Sequence, residues 1–220
     1  MQISVAGLFF VAITWITTSM WSAPLRRIAE SFTAYLPIAL VSTVILFLGM
    51  KHLYPWTHPE HVEGDLVLEA KQAYLNMPFF MIRDFLAVVV WMIFAKKLVG
   101  SSLATDLGAD YKAVWESNRK FSVAFIMVFA VSFTLIAFDQ LMSLDPHWFS
   151  TMFGVYMFAG SYQCLFAALA IMMILLRRAG YLKQIVNENH LHDVAKFLFA
   201  FTVFWAYTGF SQYMLIWYAS

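Results

Sequence analysis

Few side chains in this sequence carry chemistry, and those that do stand in unusual places. Arg83, Asp84 and Asp139 interrupt apolar runs that are otherwise free of charge, Phe79 to Trp91 and Phe121 to Leu141, and Gln212 interrupts a third, Phe197 to Trp217. An ionisable group inside a membrane span costs at least ~2.5–3.5 kcal/mol at the bilayer centre, so each is a functional candidate by default. At 1.5 Å per helical residue, Arg83 lies about 10 Å beyond Asn76, Asp139 about 8 Å before Leu144 and Gln212 about 12 Å before Ser220. Opposite charges at one depth lower each other's desolvation cost. Arg83 is therefore expected to face Asp139, with Gln163 and Gln212 as hydrogen-bonding neighbours. Asp84 projects about 100° away from Arg83 on the same helix and needs a different partner. Such a cluster suits a proton path, and it suits a lock between helices equally well.

The histidines sit elsewhere. His147 follows Asp145 and Pro146, which fit the N-cap and first position of a helix, and it is placed to take up or release protons at the membrane edge. His190, His192 and Asp193, with Glu188 and Lys196 at four-residue spacing, read either as a capped helix start or as a proton-collecting patch. Further on, Phe201, Trp205, Thr208 and Gln212 form a helical stripe, with Tyr207 and Tyr213 beside it. A stripe of this kind is a packing surface in one reading. In another, Trp205, Tyr207 and Tyr213 offer a quinone ring flat walls and hydroxyl donors.

Other chemistry is excluded. All six histidines, at 52, 58, 61, 147, 190 and 192, fall in connections or at helix ends, so no helix pair holds a mid-membrane haem. The single cysteine, Cys164, rules out a disulfide framework and any iron–sulfur cluster held by this chain alone. His58-Pro59-Glu60-His61 lacks the further ligands a metal needs. There is no P-loop, GxGxxG turn, HExxH or serine elbow. A redox role would depend on a partner's cofactors.

The elements that position these groups follow from composition. The 220 residues are 62% hydrophobic and 12% charged, with a mean hydropathy of +0.71, which leaves no soluble surface to build. Six apolar runs, at about 3–22, 28–50, 77–98, 121–143, 148–176 and 195–219, are each read as a helix crossing a core of about 30 Å. The fold expected is a single all-α, polytopic transmembrane bundle over residues 1–220. A short amphipathic helix is expected near 63–75, and an interfacial linker from Gly100 to Asn118. Of the 14 Lys and Arg, 11 gather on alternate connections and only Lys51, Lys71 and Arg83 lie on the other side. The basic face is therefore cytoplasmic, and the 51–76 connection and both termini are outside. A chain that begins and ends outside, with almost no leader, reads as cut at both ends.

One family shares these features. Phe138-Asp139-Gln140-Leu141-Met142-Ser143-Leu144-Asp145-Pro146-His147-Trp148 resembles a stretch of the ActF-type membrane subunit of bacterial alternative complex III. So do His190-Leu191-His192-Asp193, Phe204-Trp205-Ala206-Tyr207 and Ser211-Gln212-Tyr213. Arg26-Arg27-Ile28-Ala29-Glu30, Leu53-Tyr54-Pro55-Trp56 and Asn76-Met77-Pro78-Phe79-Phe80-Met81-Ile82-Arg83 extend the likeness over nearly the whole chain. The resemblance implies an NrfD-like, polysulfide-reductase-anchor fold of about ten helices, of which this would be the middle portion. It implies a multi-pass subunit of the bacterial inner membrane that works with a sister NrfD-like subunit, multihaem cytochrome c and iron–sulfur subunits, and not with nucleic acid. Haem c and the clusters would belong to those partners, the sister subunit would be the better candidate for the quinol pocket, and this chain, which would hold no cofactor alone, would supply a proton path or part of a quinol-facing surface. By position Asp139, His147, His190, His192, Asp193 and Gln212 carry the pattern. Two other classes stay open: a secondary transporter, with Pro37, Gly154 and Gly160 marking interrupted helices, and a purely structural anchor.

Overall fold

A backbone surrounded by lipid must satisfy its own polar groups, and this chain does so with helices. The computed structural model describes residues 1–19 and 21–219, and among them there is no strand. The helices are α1 (Gln2–Thr17), α2 (Ala23–Phe32), α3 (Leu36–Leu53), α4 (Pro59–Val62), α5 (Leu66–Lys71), α6 (Met77–Asp106), α7 (Tyr111–Gln140), α8 (Phe153–Arg178) and α9 (Glu188–Ala219). A single 3-10 turn joins α2 to α3, so Ala23–Leu53 forms one continuous crossing. With α6, α7, α8 and α9 that makes five helices long and apolar enough to span a membrane.

The sixth expected span differs. α1 has 16 residues, about 24 Å at 1.5 Å per residue, which is short of the hydrocarbon thickness. It is apolar on every face, the pattern of a buried helix, and most of it is buried: Val5, Leu8, Val11, Ala12 and Trp15 are at most 1% exposed, while Phe9, Ile13 and Ile16 are partly covered. The long helices α6, α7 and α8 pack directly on α1, and α3 and α9 extend the arc at either end. Two cores share it. Leu8 and Ala12 join Trp91, Phe125 and Phe129 on one side, while Phe10 and Val11 join Tyr162, Phe166 and Leu169 on the other.

Two boundaries also move. The linker expected at 100–118 shrinks to residues 107–110, because α6 and α7 each run for 30 residues. Side chains bind the extension together: Ser101 donates to Asn118 Oδ1 at 2.6 Å, and buried Asn118 donates to the Leu98 carbonyl at 3.4 Å. Asp110 then caps α7 through the amides of Lys112 and Ala113. Nor do Asp145 and Pro146 start the fifth span. That helix begins at Phe153, and residues 145–148 are turns whose Pro146 carbonyl accepts a hydrogen bond from Lys71 Nζ at 2.5 Å. The amphipathic helix near 63–75 is confined to α5, capped by Asp65.

α8 runs without interruption through Gly154 and Gly160, so neither glycine marks a broken helix. Both permit close approach instead. A Cβ on Gly154 would lie 2.8 Å from Thr134 of α7, and one on Gly160 would lie 3.1 Å from the Trp205 ring of α9. Gly154→Val should therefore destabilise the bundle by about 1–3 kcal/mol through overpacking, seen as a lower thermal midpoint in detergent. Gly49→Val, whose added Cβ meets nothing within 4 Å, is the matched control.

Candidate functional site: a two-rung polar cluster at the outer membrane edge

Asn76 caps α6 by accepting from the Phe79 amide, and Pro78 fits the first turn. This start sets the phase that turns Arg83 and Asp84 toward α7. Arg83 meets Asp139 as expected, in a bidentate pair: Nε donates to Oδ2 and Nη2 to Oδ1, each at 2.8 Å. Asp139 is fully buried and the Arg83 side chain only 10% exposed, so the arginine does not reach outward to lipid phosphates. Its Nη1 donates to the Tyr74 carbonyl at 3.2 Å. The guanidinium carbon also lies 3.9 Å and 4.1 Å from the ring centroids of Tyr74 and Phe79, a cation–π bracket.

Asp84 diverges from Arg83 and finds the next residue of α7. Gln140 Nε2 donates to Asp84 Oδ2 at 2.8 Å, so consecutive residues form two adjacent rungs, Arg83–Asp139 and Asp84–Gln140. The second rung is incomplete: Asp84 is fully buried, and its Oδ1 has no hydrogen-bond partner among the described residues. Both rungs border a groove of about 530 Å³ between α6 and α7, walled by residues such as Leu86, Val90, Val131 and Leu135. Above it, Tyr54, Trp56, Leu68 and Phe80 form an outer apolar cap, and Tyr54 donates to the Gln140 carbonyl at 3.1 Å. Burial, reinforced by the nearby carboxylates, pushes the Tyr54 and Tyr74 phenols above their usual range, so both stay protonated.

The remaining expected members lie apart. Neither Gln163 nor Gln212 bonds to the pair among the described residues. Gln212 shares its depth but is on α9, which packs mainly on α8, and its buried Nε2 has no partner. The aromatic stripe is a packing seam: Phe201 meets Tyr162 at 4.7 Å, Trp205 stacks on Tyr156 at 5.5 Å, and Thr208 is buried. Tyr207 and Tyr213 are 66% and 61% exposed, so Trp205, Tyr207 and Tyr213 do not line one pocket. His190, His192 and Asp193 lie at the inner end, opposite the cluster. There Asn187 Oδ1 caps α9, taking the His190 amide at 3.1 Å and contacting its ring Nδ1 at 2.7 Å. Asp193 pairs loosely with Lys196 at 3.4 Å, and His192 is exposed.

His147 closes the outer loop, with Nε2 2.5 Å from Asp65 Oδ2. Partial desolvation works against ionised Asp65. Hydrogen bonds from the Leu68 amide, the His147 ring and the Val67 amide outweigh it and hold the carboxyl below the ordinary carboxylate range.

Sequence reasoning missed a second ionic cluster, at the inner face. Arg27 Nη1 donates to Glu30 Oε2 at 2.8 Å and to Ser102 Oγ at 3.2 Å, and Nη2 donates to the Ser102 carbonyl at 3.1 Å and to Asp106 Oδ1 at 2.7 Å. The i,i+3 spacing of Arg27 and Glu30 on the amphipathic α2 was the available signal. Among the described residues no group of three His, Cys, Asp or Glu stands close enough to hold a metal ion. No family model and no curated protein matches this chain.

Removing one partner of a buried ion pair strands the other, at a cost of about 3–5 kcal/mol. Arg83→Met or Asp139→Leu alone should lower stability by that order, and the double variant should regain most of it, as read by a double-mutant cycle of unfolding in detergent. The outer loop responds to acid. Because the folded Asp65 pKa is depressed, its contribution is fully present above the ordinary carboxylate range and is lost as pH falls through the folded value. A fluorophore on Ser150→Cys in a Cys164→Ala background should report an acid transition that Asp65→Asn abolishes.

Proposed function

We propose that this multi-pass membrane chain is a subunit of a quinol-oxidising respiratory complex of the bacterial inner membrane, related to the ActF-type subunits it resembles. Its role in that reading is to supply a proton path and a quinol-facing surface near the outer edge. Electrons would pass to haem c and iron–sulfur clusters held by partner subunits, beside a sister NrfD-like subunit. One observation carries the reading: a fully buried carboxyl oxygen, Asp84 Oδ1, stands without a partner on an apolar groove that opens between α6 and α7.

The oxygen needs a donor that arrives through lipid, and a hydroquinone hydroxyl has that chemistry. Asp84 accepts the hydrogen bond while Gln140 holds its other oxygen. The Arg83–Asp139 rung fixes the helices between which the ring slides and keeps the charge of Asp139 compensated. His147 and Asp65, paired in the loop on the same side of the membrane as the cluster, would pass released protons to water. In this reading the quinol meets the α6–α7 groove, and Trp205, Tyr207 and Tyr213 are an alternative surface for it.

A transporter is disfavoured by the continuity of α8 and by a polar cluster at one edge rather than the midplane. A structural anchor is favoured by one fact, the complete bidentate pairing of Arg83 with Asp139. The two readings separate on Asp84→Asn, made in the native complex with assembly verified by co-purifying haem c. Quinol turnover should fall on the order of 10²-fold, the usual contribution of a positioned proton acceptor. Unchanged turnover in an assembled complex replaces this reading with the anchor.

A further inference from the structure

We propose that the cleft between the α2–α3 crossing and α6, at the inner face, binds one phospholipid with a primary-amine headgroup. The cleft measures about 750 Å³, with Leu36, Pro37, Val89 and Ile93 among its apolar walls and Arg27 and Glu30 at its charged end. Its depth matches a lipid. Twenty residues from Met77 along α6 traverse about 30 Å and arrive at Lys96, and twenty residues back from Gln140 on α7 arrive at Lys120. The apolar walls therefore lie at acyl-chain level, Lys96 at the boundary, and Arg27, Glu30, Ser102 and Asp106 among the headgroups.

Charge selects the headgroup. The four Nη contacts of Arg27 go to Glu30, Ser102 and Asp106. In this triad one guanidinium thus serves two carboxylates, Arg26 also acts on Glu30, and Glu30 Oε1 is buried without a hydrogen-bond partner among the described residues. Lys96 lines the same cleft, is exposed, and has no salt-bridge partner among the described residues. It stands about 9 Å below Ser102 along the helix, a gap the lysine stem shortens by reaching toward the interface. A single positive charge at phosphate depth and an unpaired carboxylate oxygen just outside it complement a zwitterion whose phosphate lies inward of its amine. Gly100 leaves the wall open between them, since an added Cβ would meet nothing within 4 Å. A glycerol headgroup brings no cation to the triad. A choline headgroup brings one that donates no N–H bond to Glu30 or Asp106.

This site is at the opposite membrane face from the Asp84 groove and stands independently of the quinol reading. The test is native mass spectrometry of the purified protein exchanged into equimolar phosphatidylethanolamine, phosphatidylglycerol and phosphatidylcholine with identical acyl chains. One phosphatidylethanolamine should be retained about tenfold over either competitor, the ratio that 1.4 kcal/mol of charge-assisted hydrogen bonding gives. Lys96→Gln should erase the preference, and so should Asp106→Asn, which acts through Arg27 because Asp106 does not itself line the cleft. Lys97→Gln should leave it intact, because Lys97 lies 5.0 Å over the Phe121 ring and does not line the cleft. Asp106 is largely exposed, so that variant reads out even where Lys96→Gln lowers yield. Equal retention of phosphatidylcholine, preference for phosphatidylglycerol, or an unaltered preference in both variants overturns the proposal.

Discussion

An ion pair that neither water nor lipid can stabilise holds the outer end of this molecule in register. Arg83 and Asp139 satisfy each other with two parallel bonds, and the geometry leaves almost no freedom to either helix. Because Asp84 and Gln140 are their immediate successors in the chain, the second rung follows from the first. The Tyr74 carbonyl and the Tyr54 hydroxyl then tie the outer loop to the same rungs. The orphaned Asp84 oxygen is tolerable only inside a frame this constrained, which is why the site and the stability of the hairpin are one question.

α6 is held at both ends by arginine, but by different logic. At its outer end it contributes the cation, and α7 answers with a buried carboxylate. At its inner end it contributes Ser102 and Asp106, and α2 answers with Arg27. The outer contact is dry and bidentate, whereas the inner one has a partly exposed guanidinium and an exposed Asp106. In energetic terms the first fixes geometry and the second, screened by water and salt, fixes little alone.

The sequence made the membrane class, the helical fold and the Arg83–Asp139 pair legible, because each rests on one-dimensional quantities: run length, the absence of alternation, and depth along a helix. Gln212 shows where such quantities stop. Its depth was read correctly, yet depth says nothing about which helices are neighbours, and α9 packs mainly on α8. The stripe through Trp205 was ambiguous for the same reason, since a packing seam and a ligand wall share one periodicity. Asp145 and Pro146 carried a sound local signal for a helix start that tertiary contacts from Lys71 and Asp65 override. Arg27 was read only as one of the basic residues that set orientation and as part of a family-like stretch, and its role needs the side chain of Ser102, 75 residues away.

The shortest of the six helices read as spans is also the most enclosed, and this orders how the molecule is made. α1 is too brief to settle across a bilayer unaided, and although α2 packs on it at once, the rest of its long-helix contacts come from α6, α7 and α8, segments synthesised long after it. Its surroundings are complete only once Leu165 and Phe166 have arrived. α1 is therefore made before most of the helices that enclose it and is among the last of them to find its final place, sheltered until then by the insertion machinery or by a companion subunit.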